Sequence, residues 1–230
     1  MNQAVSKEKD LNGVSTGGQR IATNSAFLLS SEVYSKVFRM ILVMAAARIL
    51  GDAAFGQYSF ALAYASLFLI FTDMGVHQLL IREVARDKGK AFLFLSNALS
   101  IKGVLSVATL GIMILIVQFM KKPMDVRWTI YILSVSLILG SYIGLFQSLF
   151  NAFQRMKYDA AANMIQTTLF TGVGIALLLL GGGIWHLALA FLFSRVISFF
   201  YAAFITRTRF SRIRLGHQGP EHRARDPPHD

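Results

Sequence analysis

The sequence predicts an all-α, polytopic membrane protein with six transmembrane helices. Three observations carry this. Of the 230 residues, 54% are hydrophobic and only 15% charged, whereas ordinary soluble domains sit near 45–50% and about 25%. The apolar residues fall in blocks of about 20–30, each long enough to cross a ~30 Å hydrocarbon core at 1.5 Å per residue. Short polar breaks separate the blocks, and Lys and Arg gather in alternate breaks. A mean hydropathy of +0.52 agrees.

The elements follow in order. Residues 1–20 read as a flexible polar tail, too polar and mixed in charge for a cleavable leader. The first span covers 24–50. Glu32, Lys36 and Arg39 interrupt it, so an interfacial amphipathic helix is an alternative for this segment. A tight turn at Gly51-Asp52 and Phe55-Gly56 leads into the second span, 55–80, which ends in the charged run 82–88. The third span is 91–120, stopped by Lys121-Lys122-Pro123 because Pro cannot continue a helix. The fourth is 128–153, the fifth 160–180 up to Gly181-Gly182-Gly183, and the sixth 184–206. The membrane domain is thus 21–206, followed by a basic and then disordered tail, 207–230. Gly216–Asp230 holds three prolines, three histidines and no aliphatic run.

The charge distribution sets orientation. One side collects thirteen Lys and Arg: Lys7, Lys9, Arg20, Arg82, Arg86, Lys88, Lys90, Arg155, Lys157, Arg207, Arg209, Arg212 and Arg214. The other collects four: Arg48, Lys121, Lys122 and Arg127. The richer side is expected to be cytoplasmic, which places both termini inside a cell (inner or plasma) membrane. The net charge of +11 is therefore read as membrane orientation and not as a nucleic-acid surface. With no cysteine, disulfides and the usual zinc and iron–sulfur ligand sets are excluded. No Walker loop, GxSxG or HExxH is present, and no histidine has metal-ligand spacing with carboxylates. No enzyme activity and no cofactor are expected.

Charges at membrane depth cost about 2.5–3.5 kcal/mol each on insertion scales, so they mark candidate function. By helical rise, Lys36, Arg39, Lys102 and Arg195 all sit near mid-depth, and Glu32 is the one comparably deep anion. Glu32, Lys36 and Arg39 recur at i, i+4, i+7 and share a helix face, extended by Asn24, Ser31 and Ser35. Glu32 and Lys36 can pair across one turn, and Arg39 and Lys102 can snorkel toward an interface. Four deep cations against one anion nevertheless leave an excess that an incoming anion would neutralise, so Arg39, Lys102 and Arg195 are expected to line one cavity with Lys36 at its edge. Gln147, Asn151 and Gln154 in the fourth span, and Asn163, Gln166 and Thr167 in the fifth, read as interhelical hydrogen-bond seams. Ser194, Arg195 and Ser198 cluster in the sixth. Asp73 and His77, spaced i, i+4, read as a helix-end hydrogen bond or a proton relay.

Three stretches resemble a known family. Ala47-Arg48-Ile49-Leu50-Gly51 through Phe55-Gly56-Gln57-Tyr58 is similar to the A-R-x-L-G…F-G-x-Y turn of the polysaccharide biosynthesis flippases. Thr72-Asp73-Met74-Gly75-Val76 through Ile81-Arg82-Glu83-Val84-Ala85-Arg86 resembles their D-x-G-x…R-E-x-A-R element, and Phe146 to Tyr158 their fourth-helix exit. The resemblance implies one six-helix lobe of the multidrug/oligosaccharidyl-lipid/polysaccharide exporter fold. Its implied substrate is an anionic polyprenyl-pyrophosphate-linked oligosaccharide, moved from the cytoplasmic to the outer leaflet. Such transporters rock two lobes against each other. A single lobe is therefore expected as a truncated product, or to find its second lobe by self-association or in another polypeptide. Rival readings are a cation-coupled multidrug-type exporter lobe, which would want deep carboxylates, and a non-transporting assembly subunit.

Overall fold

The computed structural model describes residues 2–210 apart from Met74, Asp87, Gln154 and Arg155, with side chains from Phe27 to Thr208 other than Lys88 and Ala91. The tail expected to be disordered, 216–230, lies outside the described residues. Every regular element among them is a helix: α1 Asn2–Asp73, α2 Val76–Arg86, α3 Ala91–Phe119, α4 Met124–Ala152, α5 Met156–Leu179 and α6 Ile184–Ile205. A short 3₁₀ turn, Lys88–Lys90, precedes α3, and a π turn, Thr206–Phe210, follows α6. The backbone is helical from Asn2, where the sequence suggests a flexible polar tail.

Among the described residues five helices are long and apolar enough to cross a membrane, one fewer than expected. The difference lies at the start, where Phe27–Arg86 forms one stretch of 60 residues. The expected turn at 51–56 is not a loop. Helix resumes directly after Gly51, whose backbone alone departs from helical geometry (φ 76, ψ 168). With no proline before Pro123, nothing else forces a break there. Sixty residues of straight helix would span about 90 Å, three hydrocarbon cores. The bends at Gly51 and Gly75 (φ 79) therefore decide its path. Both are conformations that a side chain bearing Cβ rarely adopts. Helices α4 and α5 begin four residues earlier than expected. Pro123 precedes the first turn of α4, and Asp125 and Asp159 lie in the first turns of α4 and α5, where an anion complements the helix dipole.

Two apolar clusters fix the chain's course. One joins Leu42, Ala46, Tyr58 and Ala65, from both sides of the Gly51 bend, to Val117, Ile130, Leu178 and Leu187. The other joins Leu80 and Val84 of α2 to Leu95, Phe146, Phe150 and Ala202, with Tyr158 packed alongside. Helices α3, α4, α5 and α6 thus run alternately between the two clusters. Before the bend, α1 lies parallel to α5: Tyr34 meets Thr168, Ser35 meets Thr167, and Leu42 lies against Gly174. After the bend it runs antiparallel to α3, with Phe60 under Lys122 just beyond α3 and Asp73 at Lys102.

The solvent for this fold is legible in α3. Its buried face carries Lys102 (0% exposed), Ser106 and Thr109, while Val104 and Val107 are 71% and 73% exposed. A water-soluble helix does the reverse. Polar side chains inward and apolar ones outward suit a bundle surrounded by lipid. This is a membrane protein.

Candidate functional site

The polar stripe of α1 divides into two edges. Ser31 and Ser35 are buried and face α5, where Thr167 donates to the Ser35 hydroxyl (3.2 Å) and Thr171 to the Phe38 carbonyl (3.3 Å). Successive residues on a helix lie about 100° apart, so Glu32, Lys36 and Arg39 point away from that seam and are exposed. Glu32 and Lys36 lie 4.0 Å apart across one turn, both largely exposed. Arg39 has no ion-pair partner among the described residues.

Arg195 projects from α6 toward α4. Its guanidinium lies 5.0 Å from the centroid of the Phe191 ring one turn earlier on α6. Its other neighbour is Gly140, where a Cβ would come within 2.6 Å of Nη1 and 2.7 Å of Cζ. The Nε is buried without a hydrogen-bond partner. No carboxylate pairs with Arg195 among the described residues. What lies in electrostatic range is a like charge, that of Arg39. By helical rise, Arg39 is about 18 Å before the Gly51 bend and Arg195 about 17 Å along α6 from the same end. The two sites therefore share a depth.

Lys102 behaves differently. Its side chain is wholly buried, and Nζ donates to Asp73 Oδ1 at 2.7 Å. The sequence pairs no anion but Glu32 with the deep cations; Asp73 is a second, brought in because α1 folds back along α3. The expected i, i+4 relation of Asp73 and His77 does not form. The Gly75 bend ends one helix and starts another, so the two do not share a helical face. Asp73 turns to Lys102, and His77 Nδ1 lies 2.7 Å from the Ser148 hydroxyl of α4. Arg195 and Arg39 thus lie within electrostatic range of each other, Lys36 sits one turn from Arg39 with Glu32, and Lys102 is paired with its own carboxylate.

A further polar group escaped the sequence reading. Asp159 is 7% exposed and accepts from the amides of Asn151 (3.4 Å) and Asn163 (3.3 Å), while Gln147 donates to Asn163 (3.2 Å). Gln147 and Asn151 of the α4 seam and Asn163 of the α5 seam therefore form one cross-linked network with a carboxylate at its centre, whereas Thr167 turns to Ser35 of α1; Gln154 lies outside the described residues. His77 and Glu32 lie in electrostatic range, and no Lys or Arg pairs with Asp159 among the described residues. The expected fifth span starts at 160 and leaves Asp159 in the loop before it; only packing against α4 reveals its burial. Among the described residues no group of three His, Asp or Glu is placed to hold a metal.

A helical bundle with apolar side chains turned outward and charges at mid-depth defines a polytopic membrane protein. The family described as "Polysaccharide biosynthesis protein" matches residues 21–225, and the chain belongs to it, as the three sequence stretches imply. No curated protein and no solved structure matches the chain. Membership places the protein in polysaccharide biosynthesis.

Proposed function

We propose that this chain is a flippase lobe for a polyprenyl-pyrophosphate-linked oligosaccharide, with Arg39 and Arg195 receiving the pyrophosphate. The observation that carries this is that Arg39 and Arg195 lie in electrostatic range at one depth, neither of them paired with a carboxylate among the described residues. Like charges so placed repel, and each costs several kcal/mol in a lipid surround. A pyrophosphate supplies the missing negative charge, and its oxygens match the planar guanidinium fork better than they match an ammonium. Lys36 adds an exposed charge one turn away. In this reading each arm of α1 crosses the bilayer, giving six crossings. The thirteen-to-four bias then puts both termini in the cytoplasm of a cell whose inner membrane holds the protein. Alternating access calls for a second lobe, supplied by another copy or another polypeptide. The lobe carries no catalytic chemistry of its own in this account. Arg39→Ala and Arg195→Ala should each weaken binding of a polyprenyl pyrophosphate at least about tenfold while leaving membrane insertion intact, and Arg→Lys should recover it in part. Alanine variants that bind as wild type would refute the assignment.

Cation coupling is a second reading, favoured by Asp159. The drug-exporter alternative wants a deep carboxylate, and Asp159 is buried without a basic partner. Asp159→Asn should then remove any dependence of transport on the proton or sodium gradient while leaving lipid binding unchanged. Retained gradient dependence would dismiss this reading.

A further inference from the structure

We propose that Gly140 is a positioning residue that seats the guanidinium of Arg195, so that the missing side chain on α4 sets the anion affinity of α6. The inference rests on the reading of Arg39 and Arg195 as the anion-binding pair.

The bland account of a glycine in a membrane helix is close backbone approach between helices. The neighbours of Gly140 speak against it. The three atoms that a Cβ there would meet first all belong to Arg195: Nη1 at 2.6 Å, Cζ at 2.7 Å and Nε at 3.2 Å. Contacts that short require something to shift, and what must shift is the charge itself. Gly144, one turn along α4, provides the contrast. Its added Cβ would meet the His77 ring at 3.6 Å, an ordinary contact. The slot is thus specific to position 140. The guanidinium also lies over the ring of Phe191, 9% exposed, whose face attracts the cation. One turn beyond Arg195, α6 is tied to α5: the Ser198 hydroxyl donates to the Ala162 carbonyl at 3.3 Å, while the Ser194 hydroxyl donates within α6 to the Phe191 carbonyl. The side chain can therefore move by rotating about its own bonds while α6 stays in place. A methyl group at 140 displaces the guanidinium from its place beside the glycine and the ring and leaves the helices packed.

The test is a double-mutant cycle on the full chain in nanodiscs, read by binding of farnesyl pyrophosphate. Gly140→Ala should weaken binding about tenfold or more, and Gly144→Ala should leave it near wild type. In an Arg195→Ala background, Gly140→Ala should have no further effect. In an Arg195→Lys background it should matter little, because an ammonium has no plane to seat. Gly140→Ala binding as wild type, or losing the same factor in all three backgrounds, overturns the proposal and leaves the arginine reading standing. Arg195→Ala binding as wild type overturns both. Thermal unfolding of each variant reports folding, and the Arg195→Lys comparison separates a positional effect from a general loss of packing.

Discussion

At the scale of single residues, the bundle separates charges that are neutralised internally from charges that are not. Lys102 and Asp73 form the first kind. Removing one partner of a buried pair leaves an uncompensated charge, which costs about 3–5 kcal/mol when both partners are buried. The Asp73 side chain is 50% exposed, so the cost of Asp73→Asn should fall below that, at about 2 kcal/mol. Lys102→Met combined with Asp73→Asn should recover most of the loss, because a buried pair replaced by apolar atoms of similar volume is often neutral. Thermal unfolding in detergent checks this, and a double variant less stable than either single one would contradict it. The Asp159 network is the second residue-scale case. Asp159→Leu leaves the Asn151 and Asn163 amides without their acceptor and should destabilise more than Asp159→Asn, by about 1–3 kcal/mol.

At the scale of elements, Gly51 and Gly75 decide how a stretch of 60 residues folds back on itself. Gly51 adopts φ 76 and ψ 168, a region open almost only to glycine. No heavy atom beyond its chain neighbours stands within 4 Å of a Cβ added there, so the cost of Gly51→Ala is backbone strain alone, about 1–3 kcal/mol. Gly56→Ala, five residues on in open helix with no positive φ, should be neutral or mildly stabilising. Equal effects of the two substitutions on the unfolding midpoint would show that the bend is not the source of the cost.

These two bends also mark where the sequence was legible and where it was not. Long apolar blocks, Pro123 and the glycine run at 181–183 announce α3 to α6 within a few residues, because length and helix-breaking chemistry are local properties. The glycine at 51 announces a turn but not that helix continues on both sides of it, which hydrogen bonding to neighbouring turns permits. Site residues follow the same division. The depth of Arg39, Lys102 and Arg195 can be counted along each helix. That Asp73 reaches Lys102, that α4 covers Asp159, and that Gly140 opens a slot for Arg195 all depend on how helices meet, and no single helix carries that information.

At the scale of the whole molecule, the two apolar clusters imply that the loops at 120–123 and 180–183 lie at the end opposite to α2. Combined with the charge bias, this predicts that Lys122 faces outside and Lys90 inside. The chain has no cysteine, so single-cysteine substitutions read topology directly. An impermeant thiol reagent added from outside should label Lys122→Cys and spare Lys90→Cys, and the opposite pattern would reverse the orientation. A second lobe is the other whole-molecule expectation. Light scattering in mild detergent and in nanodiscs should show self-association, or purification from native membranes should retain a second polypeptide. A strictly monomeric, unaccompanied chain under all three conditions would contradict it.

The central claim is that unpaired arginines make this membrane bundle a receptor for an anionic lipid. The most direct test compares, in nanodiscs, the affinity for a polyprenyl pyrophosphate with that for the uncharged polyprenol of the same chain length. The account predicts that the wild-type chain prefers the pyrophosphate by at least about tenfold, and that the preference disappears when Arg39→Ala and Arg195→Ala are combined. Equal affinity for the two lipids, or a preference that survives the loss of both arginines, would contradict it.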